Sequence, residues 1–329
     1  MNGELKIFSG NANVPLARAI CKHAGVELGQ CEIIKFSNEN IKIKILESVR
    51  GRDVFVIQPS CPPVNEGIME LLILIDAIKH ASAERITAVT PYFPYVRSDK
   101  KDEPRISITA RLMGQLFHEA GADRVLTVNL HALQIQGFVP VPCDQLDANP
   151  LIAEYFRRNY DMSNFGVLAT DAGGVKWATA YAEMLKAPLA VCDKRRWSDN
   201  EDPEIRNVIG VEEIRGKHIA IFDDEILTGG TMARAITALK EKFHLNVSFV
   251  SCIHGVFAKG AAERILKTGV EHIVTTDSVP PPTMNEHVHV VSTAPLLAAA
   301  IRNIHTGQSV TQIFRQPNFL FQQTTLDGF

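Results

Sequence analysis

Short apolar runs alternate along this 329-residue chain with longer stretches whose apolar positions recur at helical spacing. The first round predicts a strand over 54–58, a helix over 65–80 and a strand over 86–90, then a helix over 108–120 and a strand over 125–129. After about residue 150 the pattern restarts. It predicts helix 150–157, strand 166–169, helix 175–185 and strands 189–192 and 217–222. Helix 231–243, strand 247–253, helix 260–268 and strand 272–275 follow. Strands separated by helices imply parallel sheets covered on both faces. The expected fold is therefore α/β, with two tandem doubly wound parallel-sheet domains over 1–149 and 150–294 and ligands at the carboxyl ends of the strands. A weak echo joins the halves: Val128-Asn-Leu-His131 closes a strand in one, Ser251-Cys-Ile-His-Gly255 in the other.

Composition narrows the class. At 46% hydrophobic and 22% charged, the chain has the balance of a globular protein. A formal net charge of -3 lacks the basic surplus of a general nucleic-acid binder, so none is expected as a partner. No apolar run approaches the roughly 18 residues of a membrane span, and no membrane association is expected. The opening MNGELKIFSG lacks the basic and apolar regions of a signal peptide, which points to a cytoplasmic protein. Six cysteines without a Cys-x-x-Cys pair read as thiols in a reducing compartment.

The chemistry concentrates in residues 219–231, IAIFDDEILTGGT. An apolar run ends in an acidic cluster, and Thr228-Gly229-Gly230-Thr231 then opens a helical stretch. Backbone amides in such a loop, beside a helix N-terminus, suit a phosphate, and the glycines let the main chain come close. Asp223 and Asp224 cannot hold that phosphate, because like charges repel; they can accept hydrogen bonds from sugar hydroxyls nearby. An acid pair beside a phosphate cradle suggests ribose 5-phosphate or its diphosphate.

This loop resembles the signature of the type I phosphoribosyltransferases and of ribose-phosphate pyrophosphokinases. Further segments resemble the pyrophosphokinases alone: KIFSGNAN (6–13), KFSNEN (35–40) and ESVRGRDVFVIQ (47–58). The same holds for residues 69–102, NLHALQIQGF (129–138), TDAGGVKW (170–177) and Lys194-Arg-Arg196. The resemblance implies the reaction of ATP with ribose 5-phosphate to give AMP and phosphoribosyl diphosphate, with Mg²⁺ as cofactor. It also implies that the segment 295–329 packs back on the first domain.

Residue by residue, the resemblance makes Lys194 and Arg196 the catalytic cations on a closing flap over 193–202. Asp223, Asp224 and Thr228–Thr231 would bind ribose 5-phosphate. Arg97, Ser98, Asp99 and Asp102 would contact ATP, and Phe36 and Asn38 would complete the adenine site of a neighbouring subunit. His131 and Asp171 would hold the metal. Ser48, Arg50, Ser82, Arg105, Ser309 and Thr311 would form a site between subunits where phosphate activates and ADP inhibits. A homo-oligomer built from dimers, a hexamer by resemblance, follows from those shared sites.

Four positions depart from the family's pattern. Asn40 stands for Glu, Ser98 for Gln, Asn129 for Asp, and Leu227 for the Asp that often precedes the loop's first Thr. They motivate a second reading, a regulatory paralogue that binds an active subunit without catalysing. Lys194, His131 and the acid pair, whose loss would mark such a paralogue, are all retained. A plain phosphoribosyltransferase would need a nucleobase hood that no segment offers.

Overall fold

A strand apolar on both sides is stable only when both of its faces are covered, and the chain meets that demand twice. The computed structural model describes residues 3–171, 173–195, 204–281 and 286–315. One unit takes the chain up to Ala148, with Ser278–Pro280 and the segment from Ser292 onward; the other takes Asn149–Asp277 and Pro281–Val291.

The first unit runs β1 (Leu5–Ser9), α1 (Val14–Ala24), β2 (Cys31–Lys35), β3 (Ile41–Ile45), β4 (Asp53–Ile57) and α2 (Val64–His80). It continues with β5 (Arg85–Thr90), α3 (Thr109–Ala120), β6 (Arg124–Val128) and β7 (Cys143–Leu146). Five strands form an all-parallel sheet in the order β1-β4-β5-β6-β7. Val54, Val56, Ile86, Ala88 and Val125 pack with α2 and α3. The alternate positions Phe55, Ile57, Val89 and Leu126 are equally buried on the other face. A bridge from Ile7 to Leu28 puts the chain after α1 on the far side of β1, so the winding reverses between β1 and β4. Asn13 starts α1 by accepting from the Leu16 amide at 3.2 Å, and Gly25 ends it at φ 73°, a turn open to glycine at no steric cost.

The second unit runs α4 (Asn149–Asn159), β8 (Phe165–Ala169), α5 (Val175–Leu185), β9 (Leu189–Arg195), β10 (Glu204–Ile209) and α6 (Val211–Ile214). Then come β11 (His218–Ile226), α7 (Gly230–Phe243), β12 (Val247–Gly255), α8 (Ala261–Leu266), β13 (His272–Thr276) and β14 (Val288–Val291). The sheet order is β10-β9-β8-β11-β12-β13-β14, and the winding reverses between β8 and β11. On one face the ring of Phe156 lies 5.4 Å from Phe165 and Phe222 and 5.5 Å from Phe249, and Tyr181 stacks on Phe222 at 3.8 Å. On the other, Ile219 and Ile221 pack with Met232, Ile236 and Ile265 of α7 and α8. The chain then returns to the first unit as α9 (Ala294–Thr306), which packs along α1.

The two doubly wound sheets match the expected architecture, with differences of detail. β10 runs antiparallel to β9, and β2 with β3 forms an antiparallel hairpin outside the main sheet. Both pairs have joins too short for the crossover that parallel pairing needs. β11 extends through the acid pair to Ile226, instead of ending before it, because β12 keeps pairing with it as far as Gly255.

Candidate active site

In a doubly wound sheet, the strands on either side of the reversal splay their carboxyl ends and leave a crevice. In the second unit those strands are β8 and β11. Asp171 follows the end of β8, while Asp223 and Asp224 ride on β11 itself. The Asp224 amide donates to Asp223 Oδ1 at 2.9 Å, and Asp224 is 7% exposed. Burial pushes the Asp223 carboxyl up to about 8, helped by the hydrogen bond and charge of Asp224 and then by the charge of Asp171. Three acidic side chains gather near one crevice, a setting that favours hydroxyl donors.

The glycine loop expected to take a phosphate follows directly. Gly229 adopts φ 67°, and a Cβ there would sit 3.2 Å from the Ala261 carbonyl oxygen, so a larger residue would be both strained and crowded. Gly230 opens α7, whose first amides have no acceptor within the helix. Among the described residues the amides of Thr228 and Gly229 meet no backbone acceptor either. Thr228 and Thr231 are exposed. The loop thus presents a run of donors beside the acid pair, without a side-chain cap competing for them.

Lys194 lies in β9, paired with Ile205 of β10, so it rides on a strand where the sequence suggested a loose polar flap. Arg196 and residues 197–202 of the expected flap lie outside the described residues.

In the first unit, a cavity of about 330 Å³ beyond the carboxyl end of β5 gathers Tyr92, Tyr95, Arg97, Ser98, Lys100 and Asp102. Three of the four residues expected to contact ATP therefore meet there. Asp99 is the exception: it is 7% exposed and accepts from Gln134 Nε2 at 2.6 Å, a structural use of its carboxylate. Ser98 lines the cavity, but its hydroxyl caps α3 by accepting from the Thr109 amide at 3.2 Å. Phe36, 48% exposed, and Asn38, whose Oδ1 accepts from the Asn40 amide at 3.2 Å, sit at the turn between β2 and β3 and do not line the cavity.

His131 is exposed just beyond β6 in the first unit; Asp171, in the second, accepts from the Gly174 amide at 2.8 Å. Among the described residues no three His, Cys, Asp or Glu side chains could hold a metal alone. Asn129 is 2% exposed, donates to Asp147 Oδ1 at 3.1 Å and accepts from the Ala148 amide at 2.8 Å. An aspartate could make the second bond only, so Asn129 serves the chain's own backbone.

Of the expected effector residues, Ser48, Arg50 and Ser82 gather at the amino end of the first sheet, where the Gly51 amide donates to the Ser82 carbonyl at 2.9 Å. The segment carrying Ser309 and Thr311 comes to the same end, because α9 is held there. Arg85 donates to the Ile304 carbonyl at 3.0 Å, and His305 meets Asp53 at 2.8 Å. Arg105 lies beyond the opposite, carboxyl end of β5, before α3.

All six cysteines are free, and burial pushes Cys21 and Cys61 up to about 11 and Cys143 up to about 12, which leaves them inert as nucleophiles. No described helix is long and apolar enough to cross a membrane.

Comparison with known proteins gives this geometry its context. Residues 5–121 match the model of the N-terminal domain of ribose phosphate pyrophosphokinase, and residues 145–278 match the phosphoribosyl transferase domain. The chain is 45% identical over 315 residues to the ribose-phosphate pyrophosphokinase of Thermosipho africanus, covering 95% of this chain and 98% of that one. It is 45% identical over 313 residues to the enzyme of Agrobacterium fabrum, covering 94% and 100%. The crystal structure of the phosphoribosylpyrophosphate synthetase from Mycobacterium smegmatis superimposes with a TM-score of 0.84 at 36% identity, over 92% of this chain and 99% of that one. With an acid pair and a glycine loop at one reversal and both family domains spanned, the chain belongs to the ribose-phosphate pyrophosphokinase family.

Proposed function

We propose that this chain transfers the β,γ-diphosphoryl group of ATP to the C1 hydroxyl of ribose 5-phosphate, giving phosphoribosyl diphosphate and AMP. The observation that carries this reading is the acid pair set beside the open amides of Thr228–Thr231 at the β8/β11 reversal. The amides take the 5-phosphate, and Asp223 and Asp224 accept from the ribose hydroxyls, which fixes the C1 oxygen. That oxygen bonds to the β-phosphorus as the bond from the β-phosphorus to the bridging α,β-oxygen breaks. AMP leaves with the electron pair, and the proton of the C1 hydroxyl passes to solvent. Lys194 and Arg196 supply positive charge to the moving phosphates, and Arg97 and Asp102 position the nucleotide.

The donor chemistry suits Mg²⁺, a hard cation that takes carboxylate and phosphate oxygens. Asp171 would hold it together with the triphosphate, where the ion would neutralise phosphate charge. The effector residues support phosphate activation and ADP inhibition, and the exposed turn at Phe36 supports a homo-oligomer of dimers, a hexamer in this reading. An assay for AMP release from ATP and ribose 5-phosphate tests the proposal. AMP formed only when both substrates and Mg²⁺ are present supports it; no AMP overturns it in favour of the non-catalytic regulatory reading.

A further inference from the structure

Why the phosphate loop holds its open shape is not explained by the loop alone. It has no side-chain cap, and Gly229 is free to take many conformations. The segment that follows β12 holds it from behind. The Phe257 amide donates to the Ile226 carbonyl at 3.1 Å. Two residues past Ile226, the Thr228 carbonyl accepts from Nη1 of Arg264 on α8, whose Nη2 donates to the Lys259 carbonyl at 3.2 Å. The carbonyls of Ile226 and Thr228 are thus both drawn toward residues 257–264.

A trans peptide is planar, with its carbonyl and its N–H on opposite sides. Fixing the Thr228 carbonyl toward Arg264 therefore aims the Gly229 N–H away from α8. Fixing the Ile226 carbonyl does the same for the Leu227 N–H. The Ala261 and Ile265 side chains stand 3.3 and 3.2 Å from where a Gly229 Cβ would lie, so α8 also blocks the loop from collapsing backward.

We infer that Arg264 is a positioning residue for ribose 5-phosphate: it touches no substrate, and through the Thr228 carbonyl it presets the loop amides that receive the 5-phosphate. The fork is suited to this task, because two fixed N–H groups reach two carbonyls at once, whereas a lysine ammonium offers one compact charge. Preset donors bind an anion without reorganising first. This rests on the assignment of the loop to ribose 5-phosphate, so the test separates the two.

Arg264→Met, Arg264→Lys and Asp224→Asn are assayed in the full-length chain, with both Michaelis constants, turnover and melting temperature measured. Arg264→Met should raise the Michaelis constant for ribose 5-phosphate by roughly tenfold, the loss of one charge-assisted hydrogen bond, and change that for ATP less than about twofold. Arg264→Lys should recover part of the loss. If Asp224→Asn raises the ribose 5-phosphate constant and Arg264→Met does not, the inference about Arg264 is overturned. Equal rises in both constants, with a lowered melting temperature and no recovery in the lysine variant, would mean general support of α8 and overturn it also. If neither variant changes the ribose 5-phosphate constant, the loop assignment itself falls.

Discussion

At the residue scale, charge placement dominates. Asp223 holds its proton in the folded chain to about pH 8, chiefly through burial, while an unfolded aspartate releases it near pH 4. Between those limits the folded state binds the extra proton, so this residue makes stability fall as pH rises. Asp223→Asn cannot titrate, and its melting temperature relative to wild type should climb from pH 5 to pH 8; a pH-independent difference would remove the carboxyl from this role. In kinetics, Asp223→Asn or Asp224→Asn should raise the Michaelis constant for ribose 5-phosphate and not that for ATP. The reverse pattern would mean the acid pair faces the nucleotide. Lys194→Ala with Arg196→Ala should cut turnover by roughly two to three orders of magnitude with little change in substrate binding, because each cation stabilises charge that grows in the transition state. Near-normal turnover would sink that assignment. The acid pair and the glycine loop were legible because their chemistry is local. Asn129 and Ser98 were not, since their work is done by contacts with Asp147, Ala148 and Thr109, which only folding brings about.

At the element scale, α9 is held by a buried charge cluster. Asp53, fully buried, accepts a two-pronged bond from Arg85 at 2.8 and 2.6 Å and meets His305 at 2.8 Å. Replacing Asp53 with Ala leaves the Arg85 guanidinium without its counter-charge, at a cost of about 3–5 kcal/mol in urea unfolding. His305→Ala removes one arm only and should cost roughly 1 kcal/mol. Equal effects from the two would show that the arginine fork is not the main tie. The long periodic helices over 65–80 and 175–185 were readable from pattern, because their buried stripes follow one period. The short hairpin β2–β3 and the edge strands β10 and β14 were not, since an edge strand is defined by its neighbour more than by its own alternation.

At the scale of the whole molecule, two rounds of strand and helix were visible along the chain, but the return of α9 to the first unit depends on contacts across more than two hundred residues, such as Arg85 with Ile304. Phosphate should raise activity, and Arg50→Ala with Arg105→Ala should abolish that response while sparing basal turnover. Unchanged activation in the double variant would show that these arginines bind no effector. The strand β5 also has a consequence for the proposed phosphate response. Its six residues span roughly 20 Å, and they keep Ser82 at one end of the sheet while Arg105 lies past the other. A single copy cannot bring the two to one phosphate, so the effector pocket proposed above, if it uses both, would need a second copy to complete it. Dilution below the assembly threshold should then silence the phosphate response even at saturating phosphate, which would make the cell's supply of this enzyme a second input alongside the anion.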